Sequence, residues 1–213
     1  MTEQGSPPTT GPIGILSDAH GNAEGLFRCL TALRKEGATS FRYLGDAVGY
    51  MPEDDVVVRL LAEWGADCVQ GNHERMLLAG LEYAPDVVRL ARVGAHAREV
   101  VATWPKQIIE RLDCGTATFQ HEPDPAPSGW VFHGHSHRPS INGFVVNVGS
   151  CGLPRDHGGL ASCVLFTPTR VPLLEILRVP INPPKSRVHP HVAAVFRRRP
   201  KAGTLVGRTV VWP

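Results

Sequence analysis

Two rhythms of apolar and polar positions run along this chain. Residues 12–17 (PIGILS) form a short apolar run that ends at a polar turn, the pattern of a buried strand. Leu26, Phe27, Leu30 and Leu33 then recur at helical spacing across residues 23–36, ahead of Gly37, and predict a helix. The alternation repeats with a strand over 41–45, a helix over about 53–64, a strand over 66–70 and a helix opening near His73. Strands alternating with helices imply parallel pairing through crossover helices.

The rhythm then changes. Residues 86–112 read as helix throughout, with Pro105 as a break. From Gly115 onward the chain turns into short apolar segments at 116–120, 130–132, 144–148, 161–166 and 171–177, separated by Gly, Pro, Asn and Asp. A βαβ half followed by a β-rich half predicts two sheets packed face to face with helices outside. The stretch after Val179 shows no clear period, and no internal repeat is present.

Length and composition set bounds on this picture. With 213 residues, 42% apolar and 20% charged, the chain can bury one good core and does not need two. The expected organisation is a single domain over residues 1–180 and a basic, Pro- and Arg-rich extension over 181–213. No stretch approaches the roughly 18 to 20 consecutive apolar residues of a bilayer span, and the first residues have neither a basic start nor an apolar run. The five cysteines are an odd number, widely spaced, with no C-x-x-C pair. A soluble protein of the reducing cytoplasm is expected.

Charge is unevenly spread. Residues 181–213 hold seven cations (Lys185, Arg187, Arg197, Arg198, Arg199, Lys201, Arg208) and no acid; set against a whole-chain charge of +2, this leaves −5 for residues 1–180. A mildly acidic body suits a chain that gathers carboxylates around cations. The basic tail is either a solvated extension or a contact for nucleic acid or another subunit.

Each cluster of metal-capable side chains sits where an apolar strand has just ended. These are Ser17-Asp18-Ala19-His20-Gly21-Asn22, Gly45-Asp46-Ala47-Val48-Gly49, Gly71-Asn72-His73-Glu74, His121 and His133-Gly134-His135-Ser136-His137. Loops beyond the carboxyl ends of strands are where open α/β sheets bind ligands, so five loops would converge on one rim. Each alone has a plainer reading: Asp-x-His as a turn, Gly-Asp as a turn or cap, Asn72 as a helix cap. The ordered set carries the specificity.

That order, D-x-H, GD, GNHE, H, GHSH, resembles the calcineurin-like metallophosphoesterase superfamily. Residues 43–50 (YLGDAVGY) and 147–156 (NVGSCGLPRD) are similar to its compact prokaryotic branch, the YfcE-like or diadenosine tetraphosphatase-related phosphodiesterases. The resemblance covers residues 12–167 and implies a four-layer αββα sandwich of two packed mixed β-sheets flanked by helices. It also implies two divalent transition-metal ions, one held by Asp18, His20 and His137, the other by Asn72, His121 and His135, with Asp46 bridging. Mixed imidazole, carboxylate and amide donors suit manganese first, with iron, zinc or nickel as alternatives, and tell against calcium.

The implied chemistry is hydrolysis of a phosphodiester or dinucleoside polyphosphate by in-line attack of a metal-bound hydroxide. His73 would serve as general acid, since an imidazole of pKa near 6.5 holds a proton at working pH. Asn22, Asn72, His73 and Arg155 are candidate phosphate contacts, although Arg155 pairs equally well with a carboxylate. Protein phosphatases of the superfamily carry GD-x-VDRG, whose last Asp and Arg are replaced here by Gly49 and Tyr50. That departure favours a diester or nucleotide over a phosphoprotein. His121 is followed by Glu122 where the family usually has Gly, which makes it the ligand with the thinnest motif support. Cys151 and Cys163 read as packing thiols. The alternatives are a phosphomonoesterase or protein phosphatase, and a non-catalytic scaffold of the same fold.

Overall fold

A computed structural model describes residues 11–80, 93–123, 128–184, 188–200 and 207–211. Two β-sheets pack face to face. The chain opens β1 (Ile13–Leu16), α1 (Ala23–Lys35), β2 (Ser40–Tyr43), α2 (Asp54–Glu63) and β3 (Ala66–Cys68), the predicted βαβαβ run. β1 pairs in parallel with β2, and β2 with β3. Asn22 caps α1 by accepting from the Gly25 N–H, Glu24 lies in its first turn and Arg34 and Lys35 in its last, each sign matched to the helix dipole.

After α3 (Asn72–Leu78) and α4 (Ala95–Ala102), the second sheet forms from β4 (Gln107–Leu112), β5 (Gly115–Gln120), β6 (Trp130–His133), β7 (Ser140–Asn142) and β8 (Val145–Asn147). Its order is β4-β5-β6-β8-β7. The chain then returns through β9 (Leu160–Thr167) and β10 (Leu173–Pro180), followed by α5 (Pro190–Phe196) and β11 (Thr209–Val211). These complete a six-stranded sheet of order β11-β10-β9-β1-β2-β3. The architecture is the α/β sandwich of two mixed sheets that the sequence predicted.

Two apolar clusters glue the layers. Ile13, Ile15, Phe166 and Ile176 of the first sheet meet Phe119, Trp130, Phe132 and Val146 of the second. On the other face of the first sheet, Leu26, Leu30 and Leu33 of α1 pack with Val57 and Leu61 of α2 and with Phe41 and Cys163. Among the described residues no helix is long and apolar enough to cross a membrane.

Three sequence readings change. Residues 107–112 are strand β4, not helix; the Ile108 and Leu112 spacing mimics a helix face, but burial alternates along the segment and every residue pairs with β5. Residues 86–92 of that predicted helix lie outside the described residues. The boundary at residue 180 does not separate packed from unpacked chain, because Val192, Val195 and Phe196 of α5 join the core and β11 extends the first sheet. Part of the tail's charge is used internally too: Arg208 pairs with Glu175 and Glu36, and Arg198 donates to the Arg155 carbonyl.

Candidate metal centre

The five motif loops leave the carboxyl ends of β1, β2, β3, β5 and β6 and are laced together by their own backbone. Asp18 N–H donates to the Gly45 carbonyl, His20 N–H to Asp46, Cys151 N–H to Ser17 and Gly134 N–H to His121. Such lacing lets residues far apart in sequence share one small volume.

Asp46 lies between two donor clusters. On one side, His20 Nε2 and His137 Nε2 are 3.1 Å apart, and Asp18 Oδ1 is 3.7 and 3.3 Å from them. On the other, His121 Nε2 and His135 Nδ1 each lie 3.0 Å from Asn72 Oδ1 and 3.3 Å from one another. Asp46 Oδ2 is 3.6 Å from His20 Nε2 and 3.4 Å from His121 Nε2, so one oxygen faces both clusters.

Hydrogen bonds behind the rings set which nitrogen is free. His137 Nδ1 is 2.7 Å from the Leu153 carbonyl, His121 Nδ1 2.7 Å from Leu44 and His20 Nδ1 3.3 Å from Val48. Carbonyls only accept, so each Nδ1 keeps its proton and each Nε2 points inward, with a lone pair there whenever the ring is neutral. Two such lone pairs 3.1 Å apart repel unless a cation lies against them. Asp18 Oδ1 is likewise buried with no hydrogen-bond partner. These unpartnered donors fit divalent cations, and each cluster has the atoms to hold one.

The carboxylates are aimed by giving up one oxygen each. Asp46 Oδ1 accepts from the His73 N–H at 2.9 Å, and Asp18 Oδ2 from the His135 N–H at 3.1 Å. A Cβ at Gly71 would lie 2.1 Å from Asp46 Oδ1, and one at Gly134 2.4 Å from Asp18 Oδ2, which explains glycine at both positions. Among the described residues six non-glycine positions adopt positive φ, and five of them are Asp18, His20, Asp46, His135 and His137, the sixth being Tyr50. Strained backbone concentrated this way marks a functional site.

Burial raises both carboxylates, but the facing imidazoles outweigh it. His137 and His20 hold Asp18 at about 2, and His121 and His73 hold Asp46 well below the usual carboxylate range. Burial lowers His121 as well, yet Asp46 carries it up to about 10. Burial takes His137 down to about 3 against the pull of Asp18. The polypeptide alone therefore keeps a cation at His121 and bare lone pairs at His137.

The seven predicted ligands meet in one place, His121 included. The cap reading of Asn72 gives way, since Gly71 precedes the helix and Glu74 accepts its N–H. His73 joins the cluster, with Nε2 3.9 Å from Asp46 Oδ2, but not with the ordinary pKa on which its acid role was reasoned. Burial and then His20 push it down to about 4, so near pH 7 its ring offers a neutral N–H. Asn22 is corrected from phosphate contact to structural cap: its carbonyl takes Gly25 N–H and its amide donates to Gly152. The carboxylate beside Arg155, Asp156, pairs with Arg178 instead. No carboxylate among the described residues pairs with Arg155, whose backbone N–H donates to His137.

Glu74, the last residue of the GNHE motif, supports the Asp46 loop. Fully buried, it accepts from the backbone N–H of Asp46, Ala47, Val48 and Gly71 at 2.7 to 3.2 Å. A carboxylate that gathers four N–H donors fixes the loop carrying Asp46. Tyr50 stands over the cleft, its ring centroid 4.7 Å from that of His20 and 4.9 Å from that of His73.

Comparison with known proteins identifies the family and the fold. Residues 12–170 match the model of the calcineurin-like phosphoesterase superfamily domain. An uncharacterized protein of Methanocaldococcus jannaschii is 25% identical over 208 residues, covering 72% of this chain and 82% of that one. A metallophosphoesterase from Sphaerobacter thermophilus superposes with a TM-score of 0.65 at 21% identity, covering 80% of this chain and 89% of its own. A proposed diadenosine tetraphosphatase gives 0.62 at 20% identity (82% and 96% covered), and the E. coli phosphoesterase YfcE gives 0.55 at 19% (80% and 100%). The chain belongs to the calcineurin-like phosphoesterase superfamily.

Proposed function

We propose that this phosphoesterase binds two divalent metal ions and hydrolyses phosphodiesters or dinucleoside polyphosphates. The observation that carries the reading is the pair of donor clusters sharing Asp46 Oδ2. Asp18, His20 and His137 would hold one ion and Asn72, His121 and His135 the other, with Asp46 shared between them. Bound there, the ions supply a Lewis acid for the phosphoryl oxygens and lower the pKa of water toward neutrality. The donor set suits manganese, with iron, zinc or nickel as the competing occupants.

The chain's own residues complete the site. His73 stands beside Asp46 and offers its ring N–H to the leaving-group side of the ester, while Arg155 adds positive charge near His137. The diester preference rests on Gly49 and Tyr50, which occupy positions where protein phosphatases of the superfamily carry acid and guanidinium. Tyr50 places an aromatic ring where a fixed cation would stand, which favours an ester with an aromatic or nucleoside leaving group.

Asp46→Asn should abolish turnover of bis-p-nitrophenyl phosphate in manganese and leave fewer than two metal ions per chain; retained activity sinks the reading. Faster turnover of p-nitrophenyl phosphate than of its bis ester would favour the monoesterase. Fewer than two transition ions in the wild-type chain, with no turnover of either ester, would favour a scaffold.

A further inference from the structure

A cavity of about 340 Å³ opens beside the metal centre, walled by Arg75, Lys106, Gln107, Gln120, His121 and Glu122. None of its polar side chains except His121 belongs to the constellation around Asp46. His121 contributes to both: its Nε2 faces Asp46 and Asn72, and its ring forms one wall of the cavity. His121 thus makes the cavity and the metal centre neighbours.

The walls come from two directions. β4 pairs with β5 so that Gln107 lies opposite Gln120. Ala117 and Phe119 point into the core between the sheets, so the alternation of the strand sends Gln120 to the opposite face. From α3, Arg75 donates to the Gln70 carbonyl and to Glu122, which holds its guanidinium in place.

Gln120 is only 7% exposed, yet its amide nitrogen has no hydrogen-bond partner. An amide donor buried without a partner, on a side chain that lines the cavity, calls for an acceptor. Lys106 and Arg75 against Glu122 leave one surplus positive charge on the same walls. The cavity therefore offers N–H donors and net positive charge. Among its wall residues only His121 carries a ring, so it has little to stack a base on.

We propose that this cavity is a subsite for a second phosphate, the one adjoining the scissile phosphorus in a polyphosphate substrate. Gln120 and Lys106 donate to its oxygens, and the Arg75–Glu122 pair forms the far wall. The inference rests on the reading that the metal centre cleaves phosphoesters, and it selects dinucleoside polyphosphates over simple diesters.

The test compares wild type with Lys106→Ala and Gln120→Leu on three substrates in manganese: diadenosine tetraphosphate, the dinucleoside monophosphate ApA, and bis-p-nitrophenyl phosphate. Loss of one charge-assisted contact should raise KM for the tetraphosphate about tenfold with little change in kcat. ApA and the bis ester, which have no second phosphate, should stay within about twofold of wild type. An equal rise for ApA, or no rise for the tetraphosphate, overturns the subsite. Calorimetric binding of inorganic tripolyphosphate to the full chain in EDTA provides a measurement free of turnover. Binding weakened by Lys106→Ala supports the subsite, and binding that is absent or unchanged overturns it, even where failed turnover has already overturned the phosphoesterase reading. Lys106 is exposed, so its variant does not depend on how Gln120→Leu folds.

Discussion

The two halves of the candidate centre differ in how far the protein encloses them. Asp18, His20 and His137 are 0 to 1% exposed, and both of their imidazoles are held from behind by carbonyls. In the other half only His121 is comparably buried and held; Asn72 is half-buried and His135 is exposed. The enclosed half has the confronting lone pairs and the unpartnered carboxylate oxygen. The open half adjoins the cavity. Burial and backing hydrogen bonds are concentrated in one half, and access in the other.

Removing one ligand from each half is the strongest way to break this contrast. His137→Ala should empty the enclosed half and lower activity by more than the roughly 100-fold that typifies residues behind a ligand. His135→Ala should leave one ion per chain after dialysis, with a smaller loss that excess manganese restores in part. Elemental analysis and a manganese titration of activity measure both. Equal metal loss in the two variants would show that enclosure makes no difference.

Glu74 acts on the halves together, because it fixes the loop whose Asp46 faces both. Glu74→Gln turns an amide N–H toward backbone N–H donors and breaks part of the four-bond cage. Manganese affinity should fall by about 10- to 100-fold at both ions, as for other supports behind ligands. Calorimetry would show it, and a loss confined to one ion would restrict Glu74 to that half.

The members of the two clusters were legible in the sequence, the contrast between them was not, and the limits were physical. The ligands announced themselves because strand ends are marked by apolar runs and because Asp, His and Asn there have few plainer uses in that order. Enclosure was not legible, since it depends on which loop crosses which. Asn22 looked like a phosphate contact until the Gly152 carbonyl was found to take its amide. Strand β4 was hidden because Ile108 and Leu112 satisfy a helix period as well as a strand period. The packed tail was hidden because α5 and β11 are short and separated by Arg and Pro. The cavity joins residues 75, 106–107 and 120–122, and no local pattern predicts that meeting.

The smallest expected effect concerns the support of the enclosed half. Asp54, 5% exposed, accepts from the Gly49 N–H at 2.8 Å. Burial raises its pKa to about 7, against the pull of that hydrogen bond and with help from Asp55. In the unfolded chain an aspartate titrates near about 3.9. Between these values the folded state holds the extra proton, so the stability due to neutral Asp54 is complete below about pH 4 and is lost as pH rises through about 7. Asp54→Asn keeps an oxygen for Gly49 and cannot ionise. Its melting temperature should exceed that of wild type by a few degrees at pH 8, with the gap narrower at pH 5 and closing near about pH 4. Activity should change less than in Glu74→Gln. A gap of the same size at both pH values would mean that Asp54 is charged in the fold at pH 5 as well, and that the enclosed half tolerates a buried anion behind it.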